Sequence, residues 1–201
     1  MIFKRIFDIA ASIFGLIVTS PVFLIIAVLI KVKMPGPVFF RQNRVGRHGK
    51  IFKMVKFRSM KVNHGGSTIS VKGESRITPL GAKLRKYKLD EFPEFWNILK
   101  GDMSFVGPRP DVPGYADKLE GDDRLLLTIR PGLTGAASLK YSSEEELLAL
   151  QADPVRYNDE VLYPDKVRID INYIKHWSFW LDIKIILFTL IGKKLEETYF
   201  N

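Results

Sequence analysis

The chain has 201 residues, of which 46% are hydrophobic, with a formal net charge of +9 and no cysteine. This length can bury one sizeable core, so we expect a single folded domain plus any separate membrane element. The missing cysteines exclude a disulfide scaffold, thiol catalysis and thiolate metal sites, and the three scattered histidines show no zinc-ligand spacing. The excess of positive charge suits anionic partners such as nucleic acid, lipid headgroups or phosphate-bearing substrates.

The N-terminal segment contains an uncharged stretch from Ile9 to Ile30. As a helix, its 22 residues would measure about 33 Å, enough to cross the hydrocarbon layer. Ser20 and Pro21 lie in its middle, where proline removes a hydrogen bond and serine can satisfy the freed carbonyl. Basic residues flank both ends, which suits a hairpin that enters and leaves on the cytoplasmic face. The residues alone leave a single span and a re-entrant helix equally open.

Two strands are predicted next, over Val38–Val45 and Ile51–Phe57, joined by a turn at residues 46–50. This is the most basic part of the chain, and a solvated cationic sheet facing the membrane is the general interpretation. The cationic residues concerned are Arg41, Arg44, Arg47, Lys50, Lys53, Lys56 and Arg58. The polar, glycine-bearing segment 61–76 that follows is expected to be a mobile loop that closes over substrate.

Two adjacent carboxylates, Asp90 and Glu91, follow a predicted helix that begins at Thr78-Pro79 with a cap residue and a first-turn proline. Pro93 disfavours helical geometry at the residue before it, so we expect the chain to break near the pair. Acidic residues are favoured at a helix start for electrostatic reasons alone. The alternative is that one carboxylate attacks a substrate while the other moves a proton or holds a metal.

Arginines in stiff turns surround this pair. Arg85 precedes it, Arg109 lies between two prolines in Gly107–Pro110, and Arg130 opens a second rigid turn, Arg130–Gly135. A rigid turn lowers the entropy lost when a guanidinium grips a phosphate with its fork of donors. Two such turns around two carboxylates predict an anion site.

The C-terminal third is predicted to be helical. Ser142–Glu145 reads as a capping box, and Asp153-Pro154 as a second helix start. The segment from Pro164 to Ile191 carries tryptophans and isoleucines but is interrupted by charge, so no part of it is long enough to span a membrane. An amphipathic helix in the membrane surface is favoured over a plain core helix.

Four ordered motifs, Lys56–Met60, Leu89–Pro93, Asn97–Pro110 and Arg130–Gly135, resemble the small monotopic phosphoglycosyl transferases of bacteria. The resemblance covers the whole chain and is greatest to the enzyme that transfers phospho-diacetylbacillosamine at the start of bacterial protein N-glycosylation. It implies transfer of a phosphosugar from a UDP-sugar to undecaprenyl phosphate with release of UMP, the first membrane step of glycoconjugate assembly. It also implies an inner-membrane location with the catalytic domain facing the cytoplasm.

The same resemblance implies residue roles. Asp90 would be the nucleophile and the Mg²⁺ contact, and Glu91 would assist proton transfer or metal geometry. Arg109 would hold the phosphate, and Lys56 and Arg58 are the next candidates for this role. Arg85 and Arg130 complete the predicted substrate-binding set. The N-terminal helix would be re-entrant, with Ser20 and Pro21 at the bend.

Our overall prediction is an α+β protein, with a re-entrant membrane helix at 1–34 and a catalytic domain with surface helices at 35–201. The main rivals are a basic nucleic-acid-binding protein and a membrane-anchored scaffold without catalysis. No nucleic-acid motif occurs in the sequence, and the apolar N-terminus has no role in a nucleic-acid binder. We therefore expect a UDP-sugar, a polyprenyl phosphate and membrane lipids as partners, and no nucleic acid.

Overall fold

The structure is a computed structural model, which describes residues 2–62 and 76–193. The loop predicted over 61–76 therefore falls largely outside the described residues. The remainder is a mixed helix and sheet architecture, which confirms the predicted α+β class. Its α-helices are α1 Ile2–Lys33, α2 Pro79–Lys86, α3 Glu94–Lys100, α4 Ala136–Lys140, α5 Glu144–Ala149, α6 Pro154–Tyr157, α7 Tyr163–Lys175 and α8 Phe179–Ile191. Its strands are β1 Phe39–Val45, β2 Ile51–Phe57, β3 Ser104–Val106 and β4 Gly132–Thr134.

Helix α1 is the one described helix that is long and apolar enough to cross a membrane. Its domain-facing side is a stripe at three- and four-residue spacing, and its opposite side exposes large apolar residues such as Phe14, Ile17 and Leu24. This inverts the usual pattern of a surface helix, whose apolar face points to the core. The stripe comprises Lys4, Asp8, Ser12, Gly15, Thr19, Phe23, Ile26 and Ile30, the first three buried and polar. The outward face of α1 is therefore suited to lipid.

Both ends of α1 contact the same domain. Near its start, the Lys4 ammonium lies 2.5 Å from the Asp182 carboxylate on α8. Near its end, Ile30 is fully buried in a cluster with Phe57 of β2 and Leu84 of α2. In the middle, the Ser20 hydroxyl donates to the Ile17 carbonyl at 2.8 Å, which is the carbonyl that Pro21 leaves without its helical donor.

The predicted hairpin is confirmed. Strands β1 and β2 pair antiparallel from Phe39 opposite Phe57 to Val45 opposite Ile51, with the turn between them. The face of β2 that carries Phe52 and Met54 packs on Ile98 and Met103, so the hairpin lies directly against α3.

Two short parallel strands join the predicted arginine turns. Gly107 donates its amide to the Thr134 carbonyl at 3.0 Å, and Gly132 donates to the Pro108 carbonyl at 2.7 Å. A Cβ added at Gly132 would lie 2.2 Å from the Gly107 nitrogen, so any side chain there would separate the turns. The glycines allow the two backbones to touch, and this contact fixes the turn that carries Arg109.

The C-terminal helices build the main core. Val106, Ile169, Tyr173 and Ile185 are buried together between β3, α4, α7 and α8. Helix α8 thus contributes to the core while its other face exposes Trp180 and Leu190 with several aliphatic residues. The helix is therefore amphipathic, and its location in a membrane surface stays a prediction.

One local prediction is wrong, and another is confirmed at a different residue. Ser143 precedes α5 but makes no side-chain capping bond, because its backbone lies outside the extended conformation in which a cap hydroxyl reaches the next turn. The break expected near Asp90 and Glu91 is confirmed, but it falls at Lys88 and not at Phe92, which has helical backbone angles despite the following proline. Phe92 stacks on Phe95 with ring centroids 5.8 Å apart, and this packing favours helical geometry there.

Candidate active site

The carboxylate pair lies on a short turn between α2 and α3. The break falls at Lys88, whose φ of 53° reverses the chain after α2. Leu89–Glu91 then form one 3₁₀ turn that leads into α3 through Pro93. Because a 3₁₀ turn separates neighbouring residues by about 120°, Asp90 and Glu91 point in different directions and meet different partners.

Asp90 is buried, with 8% of its surface exposed. Among residues 2–62 and 76–193, no other side chain hydrogen-bonds or ion-pairs with its carboxylate. Burial raises the pKa of Asp90, and the Glu91 charge adds to this, while Lys56 and Arg85 act in the opposite direction. A desolvated carboxylate without a bonded partner is more reactive than one held in an ion pair.

Glu91 is held by two cations. Its Oε1 accepts a hydrogen bond from the Lys56 ammonium at 2.8 Å and another from the Arg109 guanidinium at 2.5 Å. Burial acts to raise the pKa of Glu91, but the charges of Arg109 and Lys56 outweigh it and hold the pKa well below the usual range. Glu91 is therefore ionised at neutral pH, and its carboxylate holds two cations beside Asp90.

Glu94 is a third carboxylate that the sequence analysis missed. It is 2% exposed, and its Oε1 lies 3.1 Å from the Lys56 ammonium, so Lys56 bridges Glu91 and Glu94. Burial raises the pKa of Glu94, Lys56 opposes this, and the Glu91 charge adds to it. Glu94 follows Asp90 by four residues, which is about one helical turn. This spacing would put the two side chains on the same side of a helix and could have identified Glu94 from the sequence.

Arg109 has a half-exposed side chain, with 49% of it accessible, and it bonds Glu91 with one of its five donors. The Pro110 carbonyl next to it accepts a 2.8 Å hydrogen bond from Arg44 of β1. Burial and the nearby Arg109 charge lower the pKa of Arg44 to about 10. Arg44, also missed in the sequence analysis, holds the Pro-Arg-Pro turn while Arg109 keeps free donors toward solvent.

The other predicted substrate-binding arginines are placed differently. Arg85 pairs with Glu145 of α5 and remains close enough to act electrostatically on Asp90. Arg58 is buried and donates to the carbonyls of Met34 and Pro35, which ties the chain after α1 to the end of β2. Among the described residues, Arg58 therefore contacts no carboxylate of the site, and it is not exposed on an open surface.

Arg130 is also separate from the carboxylate pair. Its Nε donates to the Gly101 carbonyl at 2.8 Å, past the end of α3. Since α3 has seven residues, its two ends are separated by about 10 Å. The structure therefore brings Asp90, Glu91, Lys56 and Arg109 together, with Arg85 at their edge, and leaves Arg58 and Arg130 outside this group.

The carboxylates of this site could hold a divalent cation only together with oxygen ligands from a bound phosphate or from water. Over residues 2–62 and 76–193, no cluster of three or more histidine, aspartate or glutamate side chains could hold a metal ion. Glu91 and Glu94 are already engaged by Lys56, which leaves Asp90 as the carboxylate that is open to a metal. Mg²⁺ takes oxygen ligands and often combines one or two carboxylates with phosphate oxygens and water, so Asp90 fits this use.

Comparison with known proteins finds one matching family and several relatives with similar sequences. Residues 1–193 match the family described as Bacterial sugar transferase. A UDP-N-acetylgalactosamine-undecaprenyl-phosphate N-acetylgalactosaminephosphotransferase of Aeromonas hydrophila is 38% identical over 192 residues, which are 93% of this chain and 42% of that protein. A UDP-glucose:undecaprenyl-phosphate glucose-1-phosphate transferase of Klebsiella pneumoniae is 39% identical over 197 residues, 94% of this chain and 40% of the relative.

A smaller relative has nearly the same extent. The uncharacterized sugar transferase EpsL of Bacillus subtilis is 34% identical over 202 residues, 98% of this chain and 92% of that protein. The chain thus spans about two fifths of the Aeromonas and Klebsiella relatives and nearly all of the Bacillus one.

Proposed function

Because the chain belongs to the bacterial sugar transferase family, we propose that it transfers a phosphosugar from a UDP-sugar to undecaprenyl phosphate and releases UMP. The observation that carries the proposal is the buried Asp90 carboxylate, which lies beside the Lys56 and Arg109 cations and has no bonded side-chain partner in the part of the chain that the structure describes. A nucleophile is free there, and positive charge is already positioned for a phosphate.

The first step is a displacement at phosphorus. An oxygen of Asp90 attacks the phosphorus that carries the sugar, and the bond from that phosphorus to the bridging oxygen breaks. UMP leaves with the bridging oxygen and its electron pair, and the phosphosugar remains on Asp90 as an acyl phosphate. Because a carboxylate attacks as an anion, Asp90 must be unprotonated, and its raised pKa makes it more basic than an ordinary aspartate.

The second step restores the enzyme. A phosphate oxygen of undecaprenyl phosphate attacks the same phosphorus, and the bond to the Asp90 oxygen breaks. The product is the polyprenyl diphosphate sugar, and Asp90 is again a carboxylate. Asp90 and undecaprenyl phosphate attack the same phosphorus one after the other. The first half-reaction therefore proceeds without the lipid acceptor.

Two cations would stabilise the negative charge that develops in these steps, and one carboxylate would position them. Arg109 offers the donors that Glu91 does not use, in a turn that its two prolines stiffen. Lys56 supplies a positive charge that Glu91 and Glu94 hold in place. Glu91, which is ionised and bonded to both cations, is proposed to organise them, and it would also take part in proton transfer or metal geometry.

Mg²⁺ is proposed as the cofactor, held by Asp90 together with phosphate oxygens of the UDP-sugar. When bound, it would offset the negative charge of the diphosphate. For Arg85, Arg58 and Arg130 we propose indirect roles and no direct contact with the substrate. Arg85 would act on Asp90 through its charge, whereas Arg58 and Arg130 bond backbone carbonyls away from the carboxylate pair and would support the fold.

The N-terminal helix is proposed to be re-entrant, with Ser20 and Pro21 at its bend. The contacts Lys4–Asp182 and Ile30–Leu84 tether both ends of α1 to one domain. A helix that crossed the bilayer would carry one of these ends to the far side, and that contact would be lost. Ser20 and Pro21 are exposed, on the side that faces away from the domain.

This arrangement would hold the domain at a membrane surface, for which we propose the cytoplasmic face of the bacterial inner membrane. The exposed apolar residues of α8 would join the same interface, with Trp180 at headgroup depth. As the donor, we propose an N-acetylated amino sugar such as UDP-diacetylbacillosamine, with protein glycosylation as the pathway class. The sequence motifs are its support, whereas the names of the relatives include N-acetylgalactosamine and glucose.

The test is release of UMP from a panel of UDP-sugars with purified protein, Mg²⁺ and undecaprenyl phosphate. The proposal requires UMP release with at least one donor and its loss in Asp90→Asn. A nucleic-acid-binding protein would instead release no UMP and show salt-sensitive retention on DNA or RNA. A scaffold would show neither activity.

A further inference from the structure

A second basic site lies at the opposite end of α3 from Asp90. A cavity there is lined by three arginines, Arg5, Arg47 and Arg130, together with Lys4, Asp8, Ser104 and Ile129. We call it the arginine cleft. About 70 Å³ of it is open to the centres of water molecules, whereas one buried water needs about 10–15 Å³. The space is sufficient for a group of several non-hydrogen atoms.

The three guanidinium groups converge although they come from distant parts of the chain. Arg5 donates to the Ile98 and Leu99 carbonyls at 2.6 and 2.8 Å, and Arg130 donates to the Gly101 carbonyl. Burial lowers the pKa of Arg130, and the charges of Arg5 and Arg47 lower it further. The like charges are therefore close enough to repel one another.

The cleft carries an excess of positive charge. Lys4 is neutralised by Asp182, with which it forms a 2.5 Å ion pair. Three guanidinium charges and one carboxylate, Asp8, then remain, which leaves two positive charges in excess. Within residues 2–62 and 76–193, neither Arg5, Arg47 nor Arg130 forms an ion pair with a carboxylate. An anion in the cleft would relieve this repulsion.

Capping of α3 explains only part of the cluster. Cations are favoured near helix C-terminal carbonyls, and this accounts for Arg5 and Arg130. It does not account for Arg47, which belongs to the hairpin turn and bonds the Thr128 carbonyl through Nε alone at 2.8 Å. The terminal nitrogens of Arg47 are not used by that bond. A guanidinium fork with free terminal nitrogens is suited to phosphate oxygens.

The location of the cleft indicates the source of the phosphate. Arg5 lies on the first turns of α1, where Ile2, Phe3 and Ile6 are all more than half exposed. Large apolar side chains beside a basic cleft are typical of a membrane interface. The apolar side chains contact the lipid acyl chains, and the basic cleft contacts the headgroups. We propose that the arginine cleft binds the phosphate group of a membrane lipid headgroup and thereby fixes the N-terminal end of α1 at the membrane surface.

The experiment measures thermal unfolding of the full chain in neutral detergent during titration with a short-chain phosphatidylglycerol. A ligand that binds the folded state raises the unfolding temperature in a saturable way. The variants are Arg47→Ala, which leaves the α3 cap intact, and the matched control Arg124→Ala. Arg124 is likewise an exposed arginine that donates to one backbone carbonyl, Leu119, but it does not line the cleft.

We expect saturable stabilisation of the wild type and of Arg124→Ala, and an apparent affinity about tenfold weaker in Arg47→Ala. A charge-assisted bond to phosphate typically contributes enough for such a change. Equal affinity in wild type and Arg47→Ala would overturn the proposal, as would an equal loss in both variants. Inorganic phosphate is the parallel arm. If it stabilised the wild type as much as the lipid, with the same dependence on Arg47, the lipid assignment would be wrong.

The outcome is independent of the proposed catalysis. Arg47 lies outside the group of Asp90, Glu91, Lys56 and Arg109, and the readout requires no turnover. If the chain bound the lipid but released no UMP, the lipid site would be supported and the proposed function would be wrong. If it released UMP but did not bind the lipid, the proposed function would be supported and the lipid site would be wrong.

Discussion

Arg109 donates a 2.5 Å hydrogen bond to Glu91, although the two residues are separated by 18 positions in the sequence. The bond joins the turn before α3 to the turn after β3, and both turns are anchored independently, by Lys56 and by Arg44. The positive charge beside Asp90 is therefore in place before any substrate binds. Preorganised charge of this kind costs little reorganisation when a phosphate arrives.

Arg109→Ala should weaken phosphate binding without unfolding the protein. The side chain is half exposed and packs little, while the backbone of its turn is held by Arg44 and by the strand pairing. We expect kcat/KM to fall about 10- to 100-fold, the range for loss of a charge-assisted bond. Steady-state kinetics and circular dichroism measure the two effects. Arg124→Ala, exposed elsewhere, is the control and should behave as wild type; the same loss there would point to a general charge effect.

Lys56→Ala should shift the pH profile. Burial raises the pKa of Asp90 and Lys56 opposes this, so removing the ammonium raises that pKa further. In the proposed mechanism Asp90 reacts as the carboxylate, so activity should fall as the pH decreases through this pKa, and the acid limb of kcat/KM should move to higher pH. Lys53→Ala, an exposed lysine on the same strand, should leave the limb in place. An unmoved limb in Lys56→Ala would mean that Lys56 does not influence Asp90.

Glu94 should act by holding Lys56 rather than by its own ionisation. Glutamine keeps an oxygen that can accept from the ammonium, so Glu94→Gln should stay within about fivefold of wild type. Glu94→Ala removes one of the two carboxylates that pair with the Lys56 ammonium and should lose about 10- to 100-fold in kcat, together with some thermal stability. Comparison of kcat and unfolding temperature for the two variants decides the matter. Equal losses in both would show that the carboxylate charge itself is required.

Asp170 gives a prediction for stability. Burial raises the pKa of this carboxyl to about 7, and its Oδ1 accepts from the Ala137 amide at 3.2 Å. A raised folded-state pKa favours the folded state below about pH 4, and this contribution is lost as the pH rises to about 7, by up to about 4 kcal/mol. Asparagine retains the acceptor without the charge. Asp170→Asn should therefore unfold at a higher temperature than wild type at pH 8, with the difference shrinking toward pH 4. A difference that did not depend on pH would contradict this pKa.

The topology of α1 can be tested with single cysteines, because the chain has none of its own. Both Ile2→Cys and the domain control Asp122→Cys should be shielded from an impermeant thiol reagent added to intact cells, and both should react after lysis. Reaction of Ile2→Cys alone in intact cells would place the two ends of α1 on opposite sides of the membrane and remove the re-entrant arrangement.

Local patterns predicted the parts of the fold that depend on nearby residues. Thr78 caps α2 by accepting from the Gly81 amide, as the cap residue and first-turn proline indicated. Ser20 satisfies the carbonyl freed by Pro21, and the hairpin pairs over the predicted strands. In each case the decisive interaction spans only a few residues or follows from strand alternation.

The parts that could not be predicted depend on long-range contacts. Arg58 is two residues from Lys56, a spacing that would put both side chains on one face of a continuing strand. However, β2 ends at Phe57, and Arg58 donates to the carbonyls of Met34 and Pro35 after α1. Arg44 and Glu94 belong to the site only because the hairpin packs on α3. Lys88 takes the left-handed conformation that ends α2, a role that sequence patterns assign to glycine or asparagine.

The central claim is that Asp90 becomes covalently joined to the sugar-bearing phosphate. Wild-type protein mixed with Mg²⁺ and an accepted UDP-sugar, without polyprenyl phosphate, should be quenched rapidly and examined by intact-protein and peptide mass spectrometry. The account predicts one molar equivalent of UMP and a phosphosugar adduct on the peptide that contains Asp90, both absent from Asp90→Asn. Turnover without any adduct, with UMP formed only when both substrates are present, would contradict it.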